Sequence, residues 1–100
     1  MFRHTVLFRW TPDTTSDHIA VIATGLRGLP AVIPEIVTYR CGPDLGLTEG
    51  NFDFAVVADF ADRDGWIAYR DHPTHQAIIA EHIRDHIAAR AAVQWETDEA

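Results

Sequence analysis

Alternation of apolar and polar positions with a period of two marks two segments of the chain. Side chains at every second position of a strand point to the same face, so such alternation predicts a strand with one buried face. The positions that share a face in the first segment are Phe2, His4, Val6, Phe8 and Trp10, and those in the second are Phe52, Phe54, Val56, Ala58 and Phe60. A third segment, residues 36 to 41, is rich in β-branched and aromatic residues and stops at Gly42-Pro43, which also favours a strand.

Spacings of three and four predict helices between these strands. The first helix is marked by Ile19, Ile22, Leu26 and Leu29. Residues 14 to 16 offer N-caps for it, and Gly28 and Pro30 end it. Asp62 is expected to cap a short helix that runs through Trp66 and Tyr69, and a further helix is predicted from Pro73 to about Asp85.

The tail from Ala88 to Trp95 fits two structures. Its alanines favour continuation of the helix, whereas alternation of Ala89, Ala91, Val93 and Trp95 favours a strand. We predict a strand with a frayed start. The order βαββααβ then gives an α+β fold of the ferredoxin-like type, a four-stranded antiparallel sheet with helices on one face. A second copy of the same sheet would cover the other face, so residues 1–100 are expected to form one domain that pairs as a homodimer.

Composition narrows the function classes. The formal charge of −7 over 100 residues, with eight scattered cationic side chains, argues against a nucleic-acid partner. The single cysteine, Cys41, has no partner for an internal disulfide, and no apolar run is long enough to predict a membrane span or a signal peptide. We expect a cytoplasmic protein without a membrane partner.

The segment Tyr69-Arg70-Asp71-His72-Pro73-Thr74-His75 is the strongest candidate for chemistry. Imidazole has an ordinary pKa near 6.5 and can act as a base at neutral pH, while a phenol remains a hydrogen-bond donor to about pH 10. Pro73 suits the first turn of a helix, which makes His72 the residue at the helix start and places His75 one turn inside.

Each of these residues also has a structural interpretation. His72 could satisfy backbone groups at the helix start, Tyr69 could be a core aromatic with one hydrogen bond, and His4 could be a buried histidine that orients His75. His82 and His86, four apart, have the spacing of a metal-binding pair. No further ligands stand at suitable spacing, so no metal is predicted.

These residues resemble a known family. The opening His4-Thr5-Val6-Leu7-Phe8-Arg9-Trp10, the strand from Asp53 to Phe60, and Tyr69 with His72-Pro73-Thr74-His75 are similar to the Dabb domain, the stress-responsive dimeric α/β-barrel family. The resemblance implies a ferredoxin-like protomer whose sheet pairs with its twin into a barrel, with a pocket between sheet and helices.

The resemblance also implies chemistry. A member of this family that cyclises a polyketide has a similar Tyr-x-x-His-Pro-x-His run, and this resemblance implies that Tyr69 and His75 are the catalytic pair, with His72 and His4 as supporting polar residues. A histidine that this member carries on its third strand is Phe54 here. The pocket is expected to be lined by Phe2, Val6, Phe54, Trp66 and Ile79 and to need no cofactor.

Three functions follow as hypotheses. The first is intramolecular aldol cyclisation of a poly-β-ketone, with His75 as base and Tyr69 as donor to the carbonyl oxygen, beside a polyketide synthase as a possible partner. The second is a dimeric protein that binds small apolar carbonyl-bearing ligands without turnover. The third is a cofactor-independent monooxygenase of similar architecture.

Overall fold

One antiparallel sheet organises the chain in a computed structural model that describes residues 1–98; positions 99 and 100 of the expected domain lie outside the described residues. The strand order is β2-β3-β1-β4. The strands are β1 (Phe2–Trp10), β2 (Ile36–Pro43), β3 (Phe54–Phe60) and β4 (Ile87–Glu96). Strand β1 is central and pairs with both β3 and β4, with His4 opposite Ala58 on one side and Gln94 on the other.

Three helices connect the strands: α1 (Ser16–Arg27), α2 (Arg63–Asp71) and α3 (Pro73–Ile78). The side chains of Thr15, Asp62 and His72 accept hydrogen bonds from the first turns of these helices, which satisfies amide groups that have no partner within the helix. The predicted caps of α1 and α2 are therefore confirmed.

The helices cover one face of the sheet and form the core with it. Ile22 and Leu26 of α1 and Tyr69 of α2 are buried against alternate residues of β1 and β3. The strand residues of this face are Val6, Phe8, Trp10, Phe54, Val56, Ala58 and Phe60. The predicted ferredoxin-like α+β plan is confirmed, and the tail is a strand along its length from Ile87.

Three element boundaries differ from prediction. Strand β2 continues to Pro43, and β3 begins at Phe54 rather than Phe52. Asp53 ends the preceding loop, because its backbone N–H donates to the carbonyl of Phe8 and its carboxylate accepts from the backbone N–H of Trp10. The predicted third helix is α-helical only to Ile78 and then continues as one π turn, residues 79–83, and one 3₁₀ turn, residues 84–86.

The outer face of the sheet carries a different set of residues. A bidentate ion pair joins Arg3 to Asp59, with distances of 2.7 and 2.9 Å, and the Thr38 hydroxyl donates to the same carboxylate. The Arg3 guanidinium also lies 5.8 Å from the ring of Trp95. Val93 and Trp95 are exposed on this face, since no helix packs there.

Candidate functional site

A cavity of about 550 Å³ lies between the inner face of the sheet and the helices, a volume within the range of small-molecule sites. Val6, Trp66 and Ile79 form part of its wall. Ile79 and Ile83 both line it from the π turn, a helix type that often accompanies functional sites. The wall is mostly apolar, so a few polar groups decide what chemistry it can support.

Tyr69 reaches the cavity from the last full turn of α2 and is 4% exposed. Burial raises the pKa of its phenol to about 12, so the hydroxyl is a neutral donor at pH 7. Its oxygen lies 3.0 Å from the hydroxyl of Tyr39, and either group can donate. When Tyr39 donates, the Tyr69 proton is free to bind a carbonyl oxygen in the cavity.

His75 lines the cavity from the first turn of α3, and its ring lies 4.1 Å from the ring of Tyr69, centroid to centroid. Nδ1 of His75 donates to the carbonyl oxygen of Arg70 at 3.1 Å. Because Nδ1 carries the proton, Nε2 is the basic nitrogen. Burial lowers the pKa of His75, more than the backbone hydrogen bond raises it, so the ring is neutral at pH 7.

His4 supplies the third polar group from the centre of β1 and is 7% exposed. The side-chain amide of Gln94 donates to its Nδ1 at 2.9 Å, which leaves Nε2 with the proton and makes it a donor. Burial, followed by the nearby charges of Arg90 and His75, lowers the pKa of His4 to about 4. His4 therefore hydrogen-bonds to Gln94, and its coupling to His75 is the electrostatic effect of a charged His75 on the His4 ring.

Three residues of the predicted site lie elsewhere. His72 caps α3, where its Nδ1 accepts from the backbone N–H of Thr74 at 3.1 Å, and its side chain is not part of the cavity wall. Phe2 stacks on Trp66 at 5.7 Å, behind the wall. Phe54 is 1% exposed and packs against Trp10, and its side chain is not part of the cavity wall.

His82 and His86 belong to a separate cluster with His18 of α1. The His18 ring lies 4.0 Å from that of His86 and 6.0 Å from that of His82. His18 Nε2 is bonded to the carbonyl of His82, and Nδ1 of His86 to the Thr14 hydroxyl. No group of three or more potential ligands arranged for a metal ion occurs within residues 1–98.

Several residues of the site were not identified from the sequence. Tyr39, Gln94 and Arg90 come from β2 and β4, which are far along the chain from the segment that carries Tyr69 and His75. The alternation of β4 places Gln94 on the opposite face from Val93 and Trp95. It does not reveal that Gln94 pairs with His4, because the register between β1 and β4 is set by the whole sheet. For Arg90 the sequence does hold a signal, because this residue is a single cation within a run of alanines.

Stability should depend on pH through His4. The pKa of His4 is about 4 in the fold and near 6.5 in an unfolded chain, so between these values the unfolded state binds more protons. Stability is therefore lost as the pH falls from 6.5 to 4, by about 3 kcal/mol. Urea unfolding of wild type and His4→Gln across this range measures the effect, since glutamine does not titrate. Parallel curves for the two proteins would contradict the assignment.

The architecture and the cavity define a class, the ferredoxin-like α+β proteins that keep a small-molecule cavity between sheet and helices. The model of the stress-responsive A/B barrel domain family, Dabb, matches residues 2–97. The chain belongs to this family, as the motif resemblance predicted.

Two relatives are similar along most of the chain. A dimeric ferredoxin-like protein of unknown function from Thermobifida fusca is 49% identical, with a TM-score of 0.89 over 96% of this chain and 90% of its own. An uncharacterized protein of Streptomyces coelicolor is 30% identical over 82 residues, which are 80% of this chain and 84% of the relative.

A structure with a named activity shares the fold alone. The hydroxynitrile lyase from Passiflora edulis has a TM-score of 0.82 over 99% of this chain and 94% of its own, at 18% identity.

No helix within residues 1–98 is long and apolar enough to cross a membrane.

Proposed function

We propose that the protein is an acid–base enzyme that needs no cofactor and closes a poly-β-ketone chain into a ring by an intramolecular aldol reaction. The observation that carries this proposal is the pairing of a neutral imidazole with a protonated phenol in one apolar cavity. His75 offers a basic Nε2, and Tyr69 lies 4.1 Å away, ring to ring, with a hydroxyl that remains protonated at pH 7. Chemistry at a carbonyl uses both groups.

The reaction begins with proton transfer. Nε2 of His75 takes a proton from a carbon between two carbonyls, which is acidic enough for imidazole. The electron pair of the broken C–H bond moves onto the adjacent carbonyl oxygen, where the hydroxyl of Tyr69 donates a hydrogen bond to the negative charge. A hydrogen bond from a second imidazole is not needed for this step, although the Nε2–H of His4 lies in the same wall.

Ring closure returns the proton. The enolate carbon attacks a distant ketone of the same chain, a carbon–carbon bond forms, and the new alkoxide takes the proton from His75. Loss of water and enolisation then give an aromatic ring without net oxidation or reduction. The apolar wall holds the chain folded and excludes water, which favours closure over lactone formation.

We propose further that the working form is a homodimer. The outer face of β4 exposes Val93 and Trp95, and the similar Thermobifida fusca structure is described as dimeric. Pairing of two outer faces would bury these side chains. Sedimentation should give twice the 11.2 kDa mass of the chain; a protomer mass at micromolar concentration would contradict the pairing.

The activity can be tested by product analysis. A synthase generates a linear tetra-β-ketide alone, with the wild-type protein, or with a Tyr69→Phe/His75→Ala double variant. We expect a carboxyl-bearing aromatic ring only with the wild type and lactones in the other two reactions. The same lactones in all three reactions, despite ligand binding by the wild type, would support the binding function instead.

A further inference from the structure

The charge of the cavity wall is opposite in sign to that of the whole chain. The chain has 15 acidic and eight cationic side chains, yet the described residues of the wall include three arginines and no aspartate or glutamate. His4 and His75 are neutral at pH 7, because burial lowers both pKa values. The fixed charges of the wall at this pH are therefore all positive, although the protein as a whole is acidic.

The three arginines differ in their partners. Arg70 is engaged with Asp71 through two hydrogen bonds of 2.8 and 3.0 Å, and its guanidinium lies 5.1 Å from the ring of Trp66. Within residues 1–98, Arg84 and Arg90 have no hydrogen bond or ion pair from their side chains. Two cations of the wall are thus available to a ligand.

Arg90 is the better placed of the two. It stands on β4 opposite Phe8, on the face of the sheet that forms the cavity floor. Its charge lowers the pKa of both His4 and Tyr69, so the guanidinium lies near the polar groups of the site rather than at a distance from them. Arg84 follows the π turn on the helical wall, and both arginine side chains are exposed.

We propose that the cavity selects ligands that combine an apolar body with a carboxylate, and that Arg90 binds the carboxylate. This proposal deepens the proposed function, on which it rests: the poly-β-ketone would enter as a free carboxylate. A guanidinium presents paired N–H donors that match the two oxygens of a carboxylate, and an apolar wall strengthens the interaction by displacing water.

The proposal predicts discrimination between two probes of similar shape. We expect 4-butylbenzoate to bind at least tenfold more tightly than 4-butylbenzamide at pH 7, and this preference to weaken as salt is added. Titration followed by tryptophan fluorescence is suitable because Trp66 lines the cavity. Arg90→Gln should remove the preference and leave amide affinity within about twofold, while Arg90→Lys should keep part of it.

Arg63→Gln is the matched control. Arg63 is exposed on the first turn of α2 and is not part of the wall, so this variant loses the same charge but should keep the wild-type preference. Equal affinity of wild type for both probes would overturn the proposal, as would an unchanged preference in Arg90→Gln. So would an equal loss of affinity for both probes, which would show that Arg90 only shapes the wall.

The titration tests the role of Arg90 independently of the proposed cyclisation, because it measures binding without turnover. A preference for the carboxylate that depends on Arg90, in a protein that forms no ring product, would reject the cyclisation alone. Ring formation without any preference for the carboxylate would reject only the role of Arg90.

Discussion

Replacing His75 by alanine is expected to lower kcat for ring formation by about 10²–10⁴, the usual contribution of a general base. The variant keeps the cavity but lacks Nε2 of His75, the basic nitrogen of a ring whose Nδ1 donates to the carbonyl of Arg70. Substrate affinity should change little, since the apolar wall remains. Steady-state kinetics on a linear poly-β-ketone measures kcat and KM separately.

His72→Asn provides the control. It removes an imidazole three residues away, but asparagine retains the capping of α3, and His72 lies outside the cavity wall. This variant should keep a wild-type kcat within about twofold, since capping is preserved. A large loss in His72→Asn, or a His75→Ala enzyme with undiminished kcat, would show that the motif acts differently from the mechanism proposed.

The strands could be predicted because their signal is local. In β1 and β3, alternate apolar residues identify the buried face directly. In β4, the alternation of side chains predicts a strand, whereas the alanine content alone favours a helix. The third helix was predicted less well. Ile79 and Ile83 have ordinary helical spacing, and nothing in that spacing distinguishes the observed π turn from an α-helix.

The candidate site could be predicted only for residues that are close together in the sequence. Tyr69 and His75 are six residues apart, and Pro73 between them fixes the turn that brings their rings together. Gln94 is 90 residues from His4, and Tyr39 is 30 residues from Tyr69, so these pairs depend on sheet register. The absence of Phe54 from the cavity wall has a related origin, because alternation gives the face of a strand but not which residues of that face border a cavity.

Residues 1–98 contain two bidentate arginine–aspartate pairs with nearly equal geometry and very different burial. Asp59 is 1% exposed and binds Arg3 at 2.7 and 2.9 Å, whereas Asp71 is 60% exposed and binds Arg70 at 2.8 and 3.0 Å. The two pairs therefore separate the effect of burial from that of hydrogen-bond geometry within one protein.

Asp59→Ala is expected to lower the free energy of unfolding by about 3–5 kcal/mol, the cost of removing one partner of a buried pair. The loss also leaves the Thr38 hydroxyl without the acceptor it has at 2.6 Å. Asp71→Ala should cost far less than Asp59→Ala, because water solvates the exposed Arg70 once its partner is removed. Urea unfolding at one fixed protomer concentration compares the variants, since pairing of protomers would make stability depend on concentration.

The difference in unfolding free energy between wild type and Asp59→Ala should also depend on pH. Hydrogen bonds from Arg3 hold the pKa of Asp59 below its ordinary 3.8, despite the opposing effect of burial. A carboxylate with a lowered pKa stabilises the fold above its unfolded pKa and loses that contribution as the pH falls through its folded pKa. The difference between wild type and Asp59→Ala should therefore be constant from pH 7 to about pH 5 and shrink below pH 3.8. A difference that begins to shrink near pH 6 would instead assign the stabilisation to a histidine, and equal losses in Asp59→Ala and Asp71→Ala would show that burial of the pair has no energetic consequence.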